Sequence, residues 1–95
     1  MNSTEISLAE EQAEFCSILG NSHRIRILWS LNEKELTVSE IAEAIQASLQ
    51  NTSQHLRLMK NKGVLQSRRD GREIYYCIAD SQFTRFCPVI SKKYP

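Results

Sequence analysis

At 95 residues the chain has room for one modest hydrophobic core, and a domain of that size leaves much of its surface unburied. The formal charge of +1 does not announce a nucleic-acid binder, so any such role must rest on where the charges sit. No apolar run approaches the roughly 20 residues of a membrane span, and the acidic start does not have the basic-then-apolar form of a signal peptide. Three cysteines outside any clustered framework fit reduced thiols, so a cytoplasmic location is expected. There is no internal repeat, low-complexity stretch or linker, and a single domain over residues 1–95 is expected, with 1–6 and 91–95 frayed.

The first predicted helix runs from Ser7 to about Leu19, with Leu8, Phe15 and Leu19 along one side and Gly20 ending it. Asn21 or Ser22 can cap the next helix, which reaches about Leu31. Ile25, Ile27, Leu28, Trp29 and Leu31 make its apolar surface too broad for a one-sided surface helix, so it is the central core helix. Thr37 and Glu40 form a capping box for a third helix whose Val38, Ile41, Ala42 and Ile45 share one face. Small residues Ala42, Ala44 and Ala47 allow close crossing by the following helix, which Ser48 can cap. The connection of two or three residues (about Gln46 to Ser48) has helix-turn-helix length.

The fourth helix places Leu49, Thr52, Leu56 and Met59 on its inner face and Gln50, Asn51, Gln54, Arg57 and Asn61 opposite. Amides and arginine can pair bidentately with adenine and guanine edges in the major groove. Leu65–Arg69 and Arg72–Ile78 flank Asp70-Gly71, which reads as a two-residue type I′ hairpin loop. That register sets Arg69 opposite Arg72, Ser67 opposite Ile74, Leu65 opposite Tyr76 and Arg68 beside Glu73. Two arginines facing each other at a tip favour a nearby anion such as a DNA phosphate. Arg68 reads instead as a structural ion-pair partner. After the hairpin, Asp80 or Ser81 can cap a last helix carrying Phe83, Phe86, Cys87 and Ile90, which Pro88 kinks or stops.

The fold class that follows is mainly α with a small β-hairpin: a winged helix-turn-helix of about five helices and a two-stranded wing. Charge supports it. Residues 54–72 carry Arg57, Lys60, Lys62, Arg68, Arg69 and Arg72 against Asp70 alone, whereas the first sixteen residues carry Glu5, Glu10, Glu11 and Glu14 and no base. A positive helix–wing face with an acidic end opposite is expected. The DNA-contacting set is then Gln50, Asn51, Ser53, Gln54, His55 and Arg57 in the groove, with Arg69 and Arg72 on phosphates or in the minor groove.

Three stretches stand out together: Leu19–Leu28, Ser53-Gln54-His55-Leu56, and Lys62–Leu65 with Arg69–Arg72 and Tyr75-Tyr76. In order and spacing they resemble the L-A-D-P-T-R-L-R-I-L opening, the recognition-helix signature and the wing of the arsenic-repressor and metal-sensor (ArsR/SmtB) family of bacterial regulators. The departures are Leu49, where the family commonly has a polar residue, and Thr52, where it often has Val or Ile. The resemblance covers roughly residues 15–80 and implies a dimeric repressor reading an inverted-repeat operator, with the first and last helices (7–19 and 81–90) as the dimer interface.

The family's metal ligands have no counterpart. Thr37 and Ser39 stand where one family site has two cysteines, and hydroxyls do not replace thiolates for soft ions. Asp80 matches the start of a second site, but no histidine follows it. No metal or other cofactor is expected. Cys16, Cys77 and Cys87 read first as small buried hydrophobes. The sharper reading pairs Cys16 with Cys87 as a thiol sensor at the interface that the resemblance implies, so that oxidation releases DNA. No Gly-rich phosphate loop, paired-carboxylate constellation or nucleophile with a base points to an enzyme. The expected function is a DNA-binding repressor released by an inducer or by thiol oxidation; the alternative is a winged helix recruited for protein–protein contact.

Overall fold

The computed structural model describes residues 1–91. Helix α1 spans Ser3–Ile18 and begins earlier than its apolar pattern suggests. Asn2 and Glu5 form a reciprocal capping box, the Glu5 amide donating to Asn2 Oδ1 at 2.8 Å and the Asn2 amide to Glu5 Oε1 at 3.3 Å. The expected fraying of residues 1–6 is therefore corrected from Asn2 onward: Asn2 is the cap and residues 3–6 are the first turn of a helix. Of the expected fraying at 91–95, Ser91 ends a helix and the rest lies outside the described residues. Only Phe15 and Ile18 of α1 are buried, so most of the helix stands clear of the body.

Helix α2 (Ser22–Ser30) is capped by Asn21, whose side chain accepts from the amides of His23 and Arg24. It is the core helix that its composition predicts. Ile27 and Leu28, with Leu31 just beyond, are completely or almost completely buried among Ile18, Ile41, Ile45, Leu56, Met59, Val64, Leu65 and Ile90. A short strand β1 (Leu36–Thr37) follows. Thr37 ends it and caps α3 (Val38–Ile45) through the expected box, accepting from the Glu40 amide at 3.2 Å while Glu40 accepts from its own at 2.9 Å. Gln46 takes the left-handed conformation (φ 58°, ψ 51°), which closes α3 and turns the chain sharply. Arg26 donates to the Ile45 carbonyl at 2.8 Å, which ties the end of α3 back to α2.

Helix α4 (Leu49–Asn61) starts at Ser48, whose hydroxyl accepts from the Asn51 amide. Thr52, Leu56 and Met59 are buried as their spacing predicts, but Leu49 is 55% exposed. The covered part of the inner stripe therefore begins at Thr52, one turn later than expected.

Strands β2 (Leu65–Asp70) and β3 (Glu73–Ile78) form the wing, and β1 adds to the far side of β3, giving a three-stranded antiparallel sheet in the order β1-β3-β2. The loop lies one residue later than expected, which shifts every cross-strand pair by two residues. Asp70 pairs with Glu73, Arg69 with Ile74, Arg68 with Tyr75 and Leu65 with Ile78, so the loop is Gly71-Arg72 and not Asp70-Gly71. Gly71, at φ 63°, takes the first loop position, the place where a type II′ turn needs glycine. Arg69 and Arg72 thus do not face each other; two acids do.

After the wing, α5 (Gln82–Arg85) is capped by Ser81, and α6 (Pro88–Ser91) starts at Pro88. Proline ends one helix and opens another, since its missing N–H matters least in a first turn. The expected last helix is therefore two short ones, making six helices among the described residues, and Cys87 lies in the link between them.

Thr52 carries an energetic oddity. Its side chain is fully buried, yet Oγ1 has no hydrogen-bond partner among the described residues. A buried hydroxyl without a partner costs about 1–3 kcal/mol. Thr52→Val keeps the shape and removes the hydroxyl. It is expected to stabilise the fold by at least about 1 kcal/mol, raising the unfolding midpoint by about 4–8 °C per kcal/mol. A lower midpoint in thermal unfolding would show that the hydroxyl is satisfied.

Candidate nucleic-acid interface

The outer face of α4 carries no apolar cover. Gln50, Gln54, Arg57, Lys60 and Asn61 are exposed, and Asn51 and Ser53 are half-buried on its flanks. Arg57 and Lys60 have no acidic partner among the described residues, nor do Arg69 and Arg72 at the wing tip. Arg69 Nε donates only to the Gly71 carbonyl, at 3.3 Å. These four exposed cations and three exposed amides thus lie on the helix and hairpin that the sequence singles out.

The remaining bases of that stretch are engaged. Arg68 is an ion-pair partner as expected, but not with Glu73. Its Nε lies 3.0 Å from both carboxylate oxygens of Glu35, and Nη2 donates to Oε1 as well. The guanidinium passes over the Tyr75 ring at 4.5 Å. Strand order explains the choice: Arg68 on β2 reaches across β3 to Glu35, which sits just before β1. The hydrogen bonds from Arg68 hold the Glu35 carboxyl below the usual carboxylate range, and Glu35 in turn raises Arg68.

Lys62 is bound at 2.6 Å to Glu14 of α1. The acidic helix is therefore not wholly opposite the basic face, as charge alone suggests: it touches the basic segment at the foot of α4.

His55 does not stand free on the outer face. It is half-buried, its ring stacked on His23 with centroids 5.6 Å apart, and its Nδ1 accepts from Arg24 Nε at 3.4 Å. His23 and Arg24 are residues that sequence reasoning did not single out, for no local pattern links them to α4. Burial lowers the pKa of His55, and the positive charge of Arg24 and the neighbouring His23 ring lower it further. A histidine with a lowered folded pKa contributes stability that is complete above about pH 6.5 and is lost as pH falls through the folded value. Urea midpoints are expected to hold above about pH 7 and fall toward about pH 5, less steeply for His55→Gln. Equal falls in both proteins would remove His55 as the source.

With this geometry in view, likeness to known proteins is specific. The sequence model described as "Bacterial regulatory protein, arsR family" matches residues 21–67, which run from the cap of α2 into β2. The chain is 36% identical over 73 residues to a transcriptional repressor SmtB homolog of Synechocystis sp., covering 77% of this chain and 55% of the relative. It is 43% identical over 65 residues to the cadmium resistance transcriptional regulatory protein CadC of Listeria innocua, covering 67% and 55%. The solution structure of a homodimeric winged helix-turn-helix DNA-binding domain from Mycobacterium bovis superposes with a TM-score of 0.77. It is 30% identical, covering 90% of this chain and 79% of that one.

The chain belongs to the arsR family. It spans about 55% of the length of the two curated relatives. Within this family frame α3 and α4 are the helix-turn-helix and β2–β3 the wing. No cluster of three or more His, Cys, Asp or Glu able to hold a metal ion occurs among the described residues, and none of the described helices is long and apolar enough to cross a membrane.

The three thiols of this arsR-family chain differ sharply. Cys16 is exposed on α1, where Gln12 Nε2 lies 3.3 Å from its sulfur. Cys77 is half-buried and pairs with Gln66, on the wing face away from Leu65 and Tyr76 as alternation predicts. Cys87 is buried in the core. All three are free. The expectation that each is a buried hydrophobe holds for Cys87 and is corrected for half-buried Cys77 and for Cys16, which stands on the poorly covered arm.

Proposed function

We propose that the chain is a dimeric, sequence-specific DNA-binding repressor that acts in the cytoplasm. The observation that carries this reading is the exposed row of Gln50, Gln54 and Arg57 on α4, next to a wing whose Arg69 and Arg72 have no acidic partner among the described residues. Gln50, Asn51, Ser53, Gln54 and Arg57 enter the major groove, and the wing arginines neutralise phosphate or enter the minor groove. His55, named with them from the sequence, reaches the groove only from the flank. Its contacts with His23 and Arg24 suit it to setting the pitch of α4. Two copies related by a two-fold axis read an inverted repeat with half-sites about 34 Å apart.

The test is footprinting on the DNA flanking the chain's own gene. Gln54→Ala is expected to cost about 1–3 kcal/mol on the operator and to relax base preference, with little change on random DNA. Equal loss on both would reduce Gln54 to a phosphate contact. Release by thiol chemistry is the finer part of the proposal. Cys16 is the accessible sulfur, and a partnership with Cys87 requires the α5–α6 link to open. Footprints with oxidised wild-type and Cys16→Ser protein decide it: a variant that still releases DNA on oxidation excludes Cys16.

A further inference from the structure

Leu49 is a large apolar side chain, 55% exposed, at the first position of the recognition helix. Its periodicity places it with Thr52 and Leu56, yet both of those are fully buried and Leu49 is not. The other strongly exposed apolar side chains divide by location. Met1 precedes α1, Ile6 and Leu8 lie on it, Phe86 lies in the α5–α6 link, and Ile74 on β3 is only just exposed; Leu8 and Phe86 line one shallow depression with Phe83. Leu49 lies on a different element, between the cap Ser48 and the groove-facing Gln50. The core does not use it, and it is not part of the apolar face of α1 and α5.

The first turn of a recognition helix reaches deepest into the major groove. The apolar group displayed there is the C5-methyl of thymine, and an aliphatic side chain can recognise it without a hydrogen bond. We propose that Leu49 is a specificity-determining residue that packs against a thymine methyl in each operator half-site. The inference rests on the DNA-reading function proposed above and names one base of its target. The amide and arginine side chains beside Leu49 select hydrogen-bonding edges. Leu49 adds a preference that they cannot supply, because a methyl group presents no donor or acceptor.

The test uses the full chain and operator DNA selected by the wild-type protein from a random-sequence library. Each thymine of the selected site is replaced in turn by deoxyuridine, which deletes only the methyl. At one thymine per half-site the wild type is expected to lose about fourfold in affinity, the worth of one buried methyl. Leu49→Ala should bind thymine and deoxyuridine there equally well, and Leu49→Gln should show the same indifference while still binding DNA. Leu49 is exposed, so both variants should unfold at the wild-type midpoint. If every thymine-to-deoxyuridine change costs the wild type and Leu49→Ala the same, the inference is overturned while DNA reading stands. If selection enriches no sequence at all, the DNA-reading function fails and the inference fails with it.

Discussion

A chain carrying Leu8→Glu and Phe86→Glu is expected to be monomeric at micromolar concentration and to bind its operator far more weakly than wild type. Phe86 is 77% exposed and Leu8 45% exposed, so neither change disturbs the core of the single chain. Both sit in the shallow apolar depression formed with Ala9, Gln12, Gln82 and Phe83. An α1 that buries only Phe15 and Ile18 is, on its own, near the length at which helices are marginal in water. Covering it with a second copy solves both problems. A two-fold axis presents each residue twice, and burying a Leu or Phe side chain contributes about 1.5–3 kcal/mol, so four lost contacts weaken dimerisation by about four decades or more. Sedimentation measures this directly, with circular dichroism as the control for folding. A double variant that remains dimeric would move the interface elsewhere, and a wild type that sediments as a monomer would remove the dimer altogether.

Replacing Arg69 and Arg72 by alanine is expected to weaken binding to operator and to random DNA in parallel. Both arginines are exposed and without acidic partners among the described residues, and they flank the close approach of Asp70 to Glu73 across the ladder. Arg68 relieves that pair only weakly, at 3.9 Å from Asp70. Each phosphate neutralised contributes about 0.9 to the slope of log affinity against log salt, so the four alanines of a dimer should flatten it by roughly 2–4. Arg69→Lys/Arg72→Lys should keep the slope, because a phosphate asks for charge and not for a fork. An unchanged slope in the alanine variant would take the wing off the contact surface.

The readings that held are those written in neighbouring residues. Thr37 with Glu40, Ser48 before Leu49, and Pro88 after Phe86 each fix a helix end within one turn, and each end falls where that chemistry places it. The hairpin also held, but its register did not. Asp70-Gly71 suits a type I′ loop, whereas Gly71 is the first of the two loop residues, and that single step of the loop shifts every cross-strand pair by two residues while leaving each side chain on its face. Strand β1 has two residues, too few for alternation to show. Leu49 was misplaced because periodicity gives the angle around a helix and not the length over which neighbours cover it. The contacts of His55 with Arg24, and of Arg68 with Glu35, join residues 31 and 33 positions apart, and only the fold brings them together. Asn2 and Glu5 did carry a capping signal, hidden by the lack of an apolar stripe behind it.

The strap from Arg68 over Tyr75 to Glu35 fastens the outermost strand of the wing to the segment leading into the helix-turn-helix. A hairpin held from the side in this way meets its target already shaped, so little of the encounter is spent ordering it. Capture of DNA should then be governed by electrostatic attraction at long range, with an arrival rate that falls steeply as salt rises. Residence time, by contrast, would be set by the side chains of α4. Speed and selectivity would then reside in two different parts of the chain, and stopped-flow association at several ionic strengths can observe them separately.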